Sequence, residues 1–505
     1  MRRSILLRYF GRFHLLISVI FLVPMLVGFA YQKANQDILV WSYVGPSLLL
    51  VGIGLPLSLA SRGRPTSSSD GLRRREGFVL VSVSWILMIL YGALPYLFSG
   101  ATDEISAAIF ESASGFTTTG ATIFRDIEAL DNSLLFWRSF SQWLGGMGII
   151  VLSVAILPEL AVGGMQLFTA ESSGIGVSKL APRITATAKR LWVLYAALTA
   201  AEIVALWLGG MSFFDAVTHS FATTATGGFS PNNESVGHYR NLYFELVMIV
   251  FMLLAGTNFT VQYRVFQKRE FLKFFTHSEV RLYTGIALGA TLLIALDLFV
   301  SSGQADLAKY SDVGTSLRDS SFQVVSTLTT TGFGTADFDL WPTFSKCIIV
   351  ILMAVGGCAG STAGGLKIIR LVVVLKHAGR EFQRLIHPRV VKPITVDGKA
   401  IDDETLWSIL GFFFLYVLAF LGTLLILSVL PHGPDGTSMD LVTSSTASLS
   451  ALNSIGPGLG QVGPVENFAD IHWFGKLTLS FCMVLGRLEI YTLLILFMPR
   501  FWNGR

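Results

Sequence analysis

Leu328-Thr-Thr-Thr-Gly-Phe-Gly334 sets three hydroxyls and two glycines between two long apolar segments, with no charge among them. A plain turn needs fewer special residues, and a phosphate-binding loop would carry a lysine. One use does require this composition: a short stretch of backbone whose carbonyls all face a dehydrated cation. Glycine accepts conformations that turn carbonyls to one side, and threonine adds oxygen without charge. The reading stands or falls on whether the stretch recurs.

It recurs in weakened form as Thr117-Thr-Thr-Gly-Ala-Thr122, Thr224-Ala-Thr-Gly-Gly-Phe-Ser230 and Asn453-Ser-Ile-Gly-Pro-Gly458. Alignment on Gly120, Gly227, Gly332 and Gly456 gives spacings of 107, 105 and 124 residues, an internal repeat. Each unit has the same order: an apolar run, a short amphipathic stretch, the loop, a second apolar run. Ser212-x-x-Asp215, Ser316-x-x-Asp319 and Thr437-x-x-Asp440 are helix-start patterns, and Thr102-Asp103-Glu104 supplies acid in the first unit. From these starts to the glycines is too short to cross a bilayer. The short stretches therefore read as re-entrant half-helices whose negative dipole ends converge on a central cation. The expected oxygen donors are Thr118, Thr119 and Gly120; Ala225, Thr226 and Gly227; Thr330, Thr331 and Gly332; and Ser454, Ile455 and Gly456. No Asp or Glu lies in any of the loops, which argues against a calcium-type carboxylate ring.

Composition agrees. Hydrophobic residues make up 52% of the 505, charged residues 14%, and mean hydropathy is +0.61, outside the range of soluble globular chains. Ten apolar runs are expected to span a membrane: about 13–30, 38–60, 77–98, 133–158, 188–209, 241–265, 280–301, 342–375, 406–430 and 471–498. The first is expected to be a retained helix, because Tyr31-Gln32-Lys33 makes a poor cleavage site. The fold class is thus an all-α integral membrane protein: ten transmembrane helices with four re-entrant pore half-helices in pseudo-fourfold repeats. Two N-terminal helices occupy 1–72, followed by repeats at 73–180, 181–275, 276–395 and 396–505. The N-terminus, Arg62–Arg75, Lys179–Arg190, Arg264–Arg281 and Lys367–Lys399 are basic and fall on one side, which puts both termini in the cytoplasm. This asymmetry accounts for the net charge of +4 without nucleic acid. Cys347, Cys358 and Cys482 have no paired spacing and read as buried thiols. The histidines lack metal spacing and no nucleotide-binding or hydrolase motif appears, so no enzyme activity and no organic cofactor are expected.

Past each loop a glycine interrupts the second run, at Gly146, Gly256, Gly357 and Gly486. In the third unit, Gly356, Gly357, Gly360, Gly364 and Gly365 fall within ten residues, at a cost of about 1 kcal/mol each in a helix. That predicts a break facing the pathway below the loops, the alternative being close helix packing through small residues. Arg487, deep in the last run, is a second gate candidate with Glu489 as its expected partner; snorkelling is its bland reading. Glu111 and Glu202 read as packed and hydrogen-bonded.

The four loops, together with Ser141–Leu152 (SQWLGGMGIIVL), Gly356–Arg370 (GGCAGSTAGGLKIIR) and Gly486–Phe497 (GRLEIYTLLILF), resemble the Trk/Ktr/HKT superfamily of potassium-uptake proteins. The two spans before the first repeat resemble the bacterial Trk membrane subunit, since Ktr subunits typically lack them. The resemblance implies K⁺ as the transported ion, a selectivity filter with potassium preference, a gating intramembrane loop, and a homodimer in the bacterial inner membrane. It also implies a cytoplasmic nucleotide-binding, TrkA-like regulatory subunit. A proton- or sodium-coupled symporter is the alternative. Gly228 and Pro457 depart from a symmetrical filter.

Overall fold

The computed structural model describes residues 2–31, 36–60, 74–155, 180–269, 276–389, 393–433 and 436–503. Most of Arg62–Arg75, residue 179, the middle of Arg264–Arg281, residues 390–392 and Asp435 lie outside them. Three N-terminal helices, α1 (Arg3–Ile20), α2 (Leu22–Tyr31) and α3 (Gln36–Ala60), precede α4 (Arg74–Gly92) and the short α5 (Leu94–Phe98). Then come α6 (Ile105–Phe116), α7 (Asn132–Ala155), α8 (Leu180–Leu208), α9 (Phe213–Ala225), α10 (Leu242–Ala255) and α11 (Phe259–Lys268). The rest are α12 (Ser278–Val300), α13 (Val313–Leu328), α14 (Thr343–Val355), α15 (Ile368–Ile386), α16 (Asp403–Val429), α17 (Leu441–Asn453), α18 (Trp473–Arg487), α19 (Tyr491–Leu494) and α20 (Pro499–Asn503). Among the described residues strand is confined to two hairpins, β1 (Thr395–Val396) with β2 (Lys399–Ala400) and β3 (Pro431–His432) with β4 (Thr437–Ser438).

Among the described residues, six helical segments are each long and apolar enough to cross a membrane, or eight if two bent pairs count as spans. Their outward faces are apolar: Phe414, Leu418, Leu425 and Val429 of α16 are exposed, while Thr405, Tyr416 and Thr423 of the same helix are buried. A soluble helix shows the reverse pattern. The polar side chains inside are satisfied locally. In α17 the hydroxyls of Ser444, Thr446 and Ser448 donate to carbonyls one turn back, at 2.8, 2.8 and 2.7 Å.

The short helices α6, α9, α13 and α17 each pack on the preceding long helix of their own unit, α4, α8, α12 and α16. Each is also covered by the second helix of the previous unit: α7 on α9, α10 on α13, α14 on α17, and α18 back on α6. The units therefore close into a ring. Their outer loops close it again, through Ile127 N to Asn233 Oδ1 (2.7 Å), Gly237 N to Gly334 O (3.0 Å), Gly460 N to Asp339 Oδ2 (3.1 Å) and Phe468 N to Thr122 O (2.8 Å).

The helix starts only partly follow the sequence patterns. Ser212 caps α9 by accepting from Asp215 N at 3.0 Å, as its pattern predicts. Helix α13 begins a turn earlier than expected, on Asp312, and α17 begins later, on Asp440; each carboxylate accepts first-turn N–H groups. An aspartate at the chain's entry outcompetes a nearby hydroxyl as cap. Unit one is braced by a buried ion pair. Arg138 Nε donates to Glu111 Oε1 at 2.8 Å, and Glu111 Oε2 accepts from Ile123 N at 2.9 Å. The same guanidinium donates to Ser230 O at 3.0 Å and lies 4.2 Å over the Phe229 ring, tying unit one to unit two. Glu202 is buried as expected, but neither carboxyl oxygen is hydrogen-bonded among the described residues.

Removing one member of such a pair strands a buried charge, at a cost of about 3–5 kcal/mol. Arg138→Ala should therefore lower the thermal unfolding midpoint of the detergent-purified protein by several degrees. Arg125→Ala, at the exposed Arg125–Asp470 pair, should cost at most about 1 kcal/mol. Equal shifts for the two variants would remove the Arg138–Glu111 pair from the brace.

A ring of four glycine-centred loops

All four short helices end the same way. Thr118, Thr226, Thr330 and Ser454 are left-handed, with φ of 56°, 54°, 55° and 56°. The N–H of each bonds to the carbonyl three residues back, and the next N–H reaches five back: Thr119 to Ser114, Gly227 to Ala222, Thr331 to Ser326 and Ile455 to Ser450. This is the helix-ending turn normally given to glycine. A β-carbon there costs of order 1–3 kcal/mol, a strain that clusters at functional positions. Two residues after each left-handed position comes a glycine of positive φ: Gly120 (86°), Gly228 (78°), Gly332 (82°) and Gly456 (106°).

The second loop is thus shifted by one from the sequence alignment. Gly228, not Gly227, corresponds to Gly120, Gly332 and Gly456, and Ala225 falls at the place of Thr117. Two adjacent glycines satisfy a composition match equally, and the turn separates them. A signal was available: Gly228-Phe229 matches Gly332-Phe333.

The aligned glycines hold the ring together by what they lack. A β-carbon on Gly120 would collide with the Gly227 carbonyl oxygen, one on Gly228 with that of Thr331, and one on Gly332 with that of Ile455. One on Gly456 would lie 2.8 Å from the Thr119 oxygen, which returns to the first loop. Four equivalent carbonyls, from Thr119, Gly227, Thr331 and Ile455, therefore follow one another in a closed cycle. An open cavity of about 110 Å³ sits on the ring, and all four aligned glycines line it.

The loops are anchored from outside. Gln142 Nε2 donates to Gly227 O at 2.6 Å, and Gln142 Oε1 accepts from Phe229 N at 3.1 Å. Ser326 Oγ donates to Phe333 O at 2.8 Å, and Ser450 Oγ to Gly456 O at 2.7 Å. Sequence reasoning did not single out Gln142 or Arg138; their one signal was a polar side chain inside an apolar run. The Thr118 and Ser454 hydroxyls are buried without a hydrogen-bond partner among the described residues, which leaves their oxygens open to a ligand.

Beneath the ring, residues 356–367 join α14 to α15 as an irregular segment, with Gly356, Gly360 and Gly365 at φ of 71°, 71° and 78°. It reaches helix ends of three units. Gly364 N donates to Thr330 Oγ1 at 2.7 Å, and Thr362 Oγ1 to Thr224 O and Ala255 O at 3.1 and 3.2 Å. Cys358 N donates to Gly256 O at 2.9 Å, and Phe259 N to Gly360 O at 3.1 Å. Gly357 packs against the Gly256 carbonyl, where a β-carbon would lie 2.9 Å away. Arg487, 3% exposed, donates from Nη1 to Thr362 O at 2.7 Å, while its Nε and Nη2 have no hydrogen-bond partner among the described residues. The five glycines and Arg487 thus come together in one place.

Four expectations are corrected here. Cys347, read as a buried thiol, is exposed, whereas Cys358 and Cys482 are buried. The runs 241–265 and 471–498 are not straight spans: α10 and α11 meet at 99°, and α18 and the segment from Tyr491 to Phe497 at 109°. Gly256 ends α10 and Asn258 caps α11, accepting from Thr260 N and Val261 N. By contrast α7 runs unbroken through Gly146, where a β-carbon would crowd Ala225 at 2.9 Å; there the glycine serves close packing. Glu489 does not hydrogen-bond Arg487. It pairs with Arg370 of α15, whose guanidinium also lies 4.0 Å over Phe412.

Comparison with known proteins gives the same picture. The TrkH family profile, described as "Cation transport protein", matches residues 57–503. The chain is 40% identical over 434 residues to the Trk system potassium uptake protein TrkH of Salmonella typhimurium, covering 86% of this chain and 87% of that one. Its identity to the protein of the same name from Escherichia coli K12 is 37% over 498 residues, 98% of each. The crystal structure of the potassium transporter TrkH from Vibrio parahaemolyticus matches with a TM-score of 0.87 and 36% identity, covering 100% of both chains. An apolar helical body, a closed ring of loop carbonyls and matches along nearly its whole length lead to one conclusion: the chain belongs to the TrkH family of cation transport proteins, membrane transporters rather than enzymes.

Proposed function

We propose that the protein takes up potassium across a bacterial inner membrane through the centre of the four-loop ring. The observation that carries this reading is the closed cycle of carbonyls, with no carboxylate among the loop residues. Such a ring replaces the hydration shell of a weakly hydrated monovalent ion. Relatives named as potassium uptake proteins support the choice of ion. The ligands on this reading are the oxygens of Thr118, Thr119, Thr226, Gly227, Thr330, Thr331, Ser454 and Ile455. Ten spans with four re-entrant short helices, the domain limits given above and cytoplasmic termini complete the proposed topology. Units repeating in one direction around a centre favour a pore over the inverted halves of an alternating-access symporter.

In this scheme the Gly356–Gly365 segment and Arg487 form the barrier, and opening moves the segment aside. A homodimer and a cytoplasmic nucleotide-binding, TrkA-like regulator complete the assembly, with the basic inner segments as the regulator's docking surface. Flux of K⁺, Rb⁺, Na⁺ and Li⁺ into proteoliposomes under an imposed voltage tests the whole reading. Saturation without voltage-driven passive flux would replace the pore by a coupled carrier.

Three variants test the parts. Gly228→Ser combines a strained φ with collision against the Thr331 backbone carbonyl, whereas the atoms nearest to a β-carbon on Gly227 belong to the Gln142 side chain, which can shift. Gly228→Ser should therefore lower K⁺/Na⁺ discrimination about tenfold, the equivalent of about 1.4 kcal/mol, and Gly227→Ala by much less. Equal ratios in both variants and the parent would take the loops out of the filter. For the barrier, a fixed charge at roughly 6 Å and an effective dielectric near 20 repels a cation by about 3 kcal/mol. Arg487→Ala should thus raise basal K⁺ flux by up to about a hundredfold with selectivity kept. A monodisperse variant that conducts no faster than the parent would place the barrier elsewhere.

A further inference from the structure

The glycine-rich segment is held by one carboxylate that the scheme above leaves unused. Glu279, in the first turn of α12 and 6% exposed, points its Oε1 at both legs of the bend. That oxygen accepts from Ala359 N at 2.7 Å and from Ile369 N at 3.2 Å. One leg leads into the bend and the other leads out into α15, so a single acceptor pins the two together. Away from water, breaking these bonds leaves two N–H groups and a carboxylate unsatisfied.

The same turn of α12 is tied to the aqueous side. The β1–β2 hairpin turns at Asp397-Gly398, with φ of 46° and 79°. Asp397 Oδ1 accepts from Ser278 N at 3.0 Å and from the Ser278 hydroxyl, and its other oxygen lies 3.8 Å from His277 Nδ1. The hairpin also grips α15, through Lys376 Nζ donating to Thr395 O at 2.7 Å. Its roots, Ile394, Val396 and Ile401, are buried, while Gly398, Lys399 and Ala400 are exposed. One small element thus holds both helices that meet at Glu279 and presents its own tip to solvent.

We propose that Glu279 is the latch that keeps the Gly356–Gly365 segment closed, and that the Thr395–Ala400 hairpin is the handle through which the cytoplasmic side releases it. The inference rests on the barrier reading given under the proposed function. Glu279 is a positioning residue: it acts on the pathway only through the backbone of the segment. A regulator that pulls or tilts the hairpin shifts Ser278, and with it the carboxylate one residue further on.

Cys358 supplies a readout that does not depend on which ion passes. It lies within the segment and is fully buried, so its thiol reacts with a water-soluble maleimide only when the segment moves. The full chain in proteoliposomes, carrying Cys347→Ser and Cys482→Ser, is the reference. Glu279→Ala should raise the Cys358 labelling rate about tenfold. Glu279→Gln, whose amide oxygen still accepts both N–H bonds, should stay within about threefold of the reference. Equal rates for Ala and Gln, or an Ala variant that labels like the reference, would overturn the latch. Asp397→Ala should raise labelling and Asp397→Asn should largely restore the reference rate; no difference between these two would overturn the handle. Should Glu279→Ala fail to assemble, Glu279→Asp, whose side chain is one methylene shorter, takes its place: it should raise Cys358 labelling above the Gln variant, and a rate equal to that of Gln would overturn the latch. A reference protein that carries no K⁺ while Glu279→Ala still exposes Cys358 would sink the transport reading and leave the latch standing.

Discussion

Four glycines, each lacking the β-carbon that would strike the next loop's carbonyl, fix the spacing on which the rest of the structure depends. The contact is reciprocal around a cycle, so no loop can widen without releasing its neighbours. Each surrounding feature serves that spacing. The short helices deliver their C-terminal ends to the ring, the long helices hold the short ones, and every second helix buttresses the following unit. Left-handed threonine or serine at the same turn in all four loops is strain the ring imposes and its closure maintains. Relieving it in one loop would move a carbonyl that another loop's glycine touches.

Irregular backbone at this depth has to find partners, because lipid supplies none. The broken second helices meet the requirement mutually. The carbonyls freed where α10 ends, at Ala255 and Gly256, accept from Thr362 and Cys358 of the glycine-rich segment. The segment's own Gly360 carbonyl accepts in return from Phe259 at the start of α11. A break in one unit is therefore satisfied by a break in the next. That explains how two sharp bends and a twelve-residue irregular stretch coexist under the ring.

Much of this was legible in the sequence, and the limits are physical. Apolar runs and four Gly/Thr loops fix the number and order of units because both depend on composition over many residues. The break at Gly356–Gly365 was legible because five glycines so close together oppose any helix. The bends after Gly256 and Arg487 were not, since a single glycine is compatible with a kink or with close packing, and Gly146 takes the second course. The register of the second loop turned on which of two adjacent glycines has positive φ, and only the phenylalanine that follows Gly228, as one follows Gly332, marked it in the sequence. The pairing of Glu489 with Arg370 joins residues 119 apart in sequence, and no local pattern carries that information.

The asymmetry of the lower half follows from the same arithmetic of bonds. The glycine-rich segment comes from unit three alone, yet it is bonded to Thr224, Ala255 and Gly256 of unit two, to Thr330 of its own, and to Arg487 of unit four. At a net ~0.5–1.5 kcal/mol each, these bonds sum to several kcal/mol, because water replaces most of what is lost when they break. Moving a two-state element from mostly closed to mostly open takes about 5.5 kcal/mol. On the proposed reading, a single segment crossing the pathway can then be switched by one binding event at the cytoplasmic face. Four symmetric segments would need roughly four times as much, beyond what one regulator contact supplies. On that reading a ring that must stay fixed and a barrier that must move impose opposite demands, and confining the moving backbone to one of four units meets both.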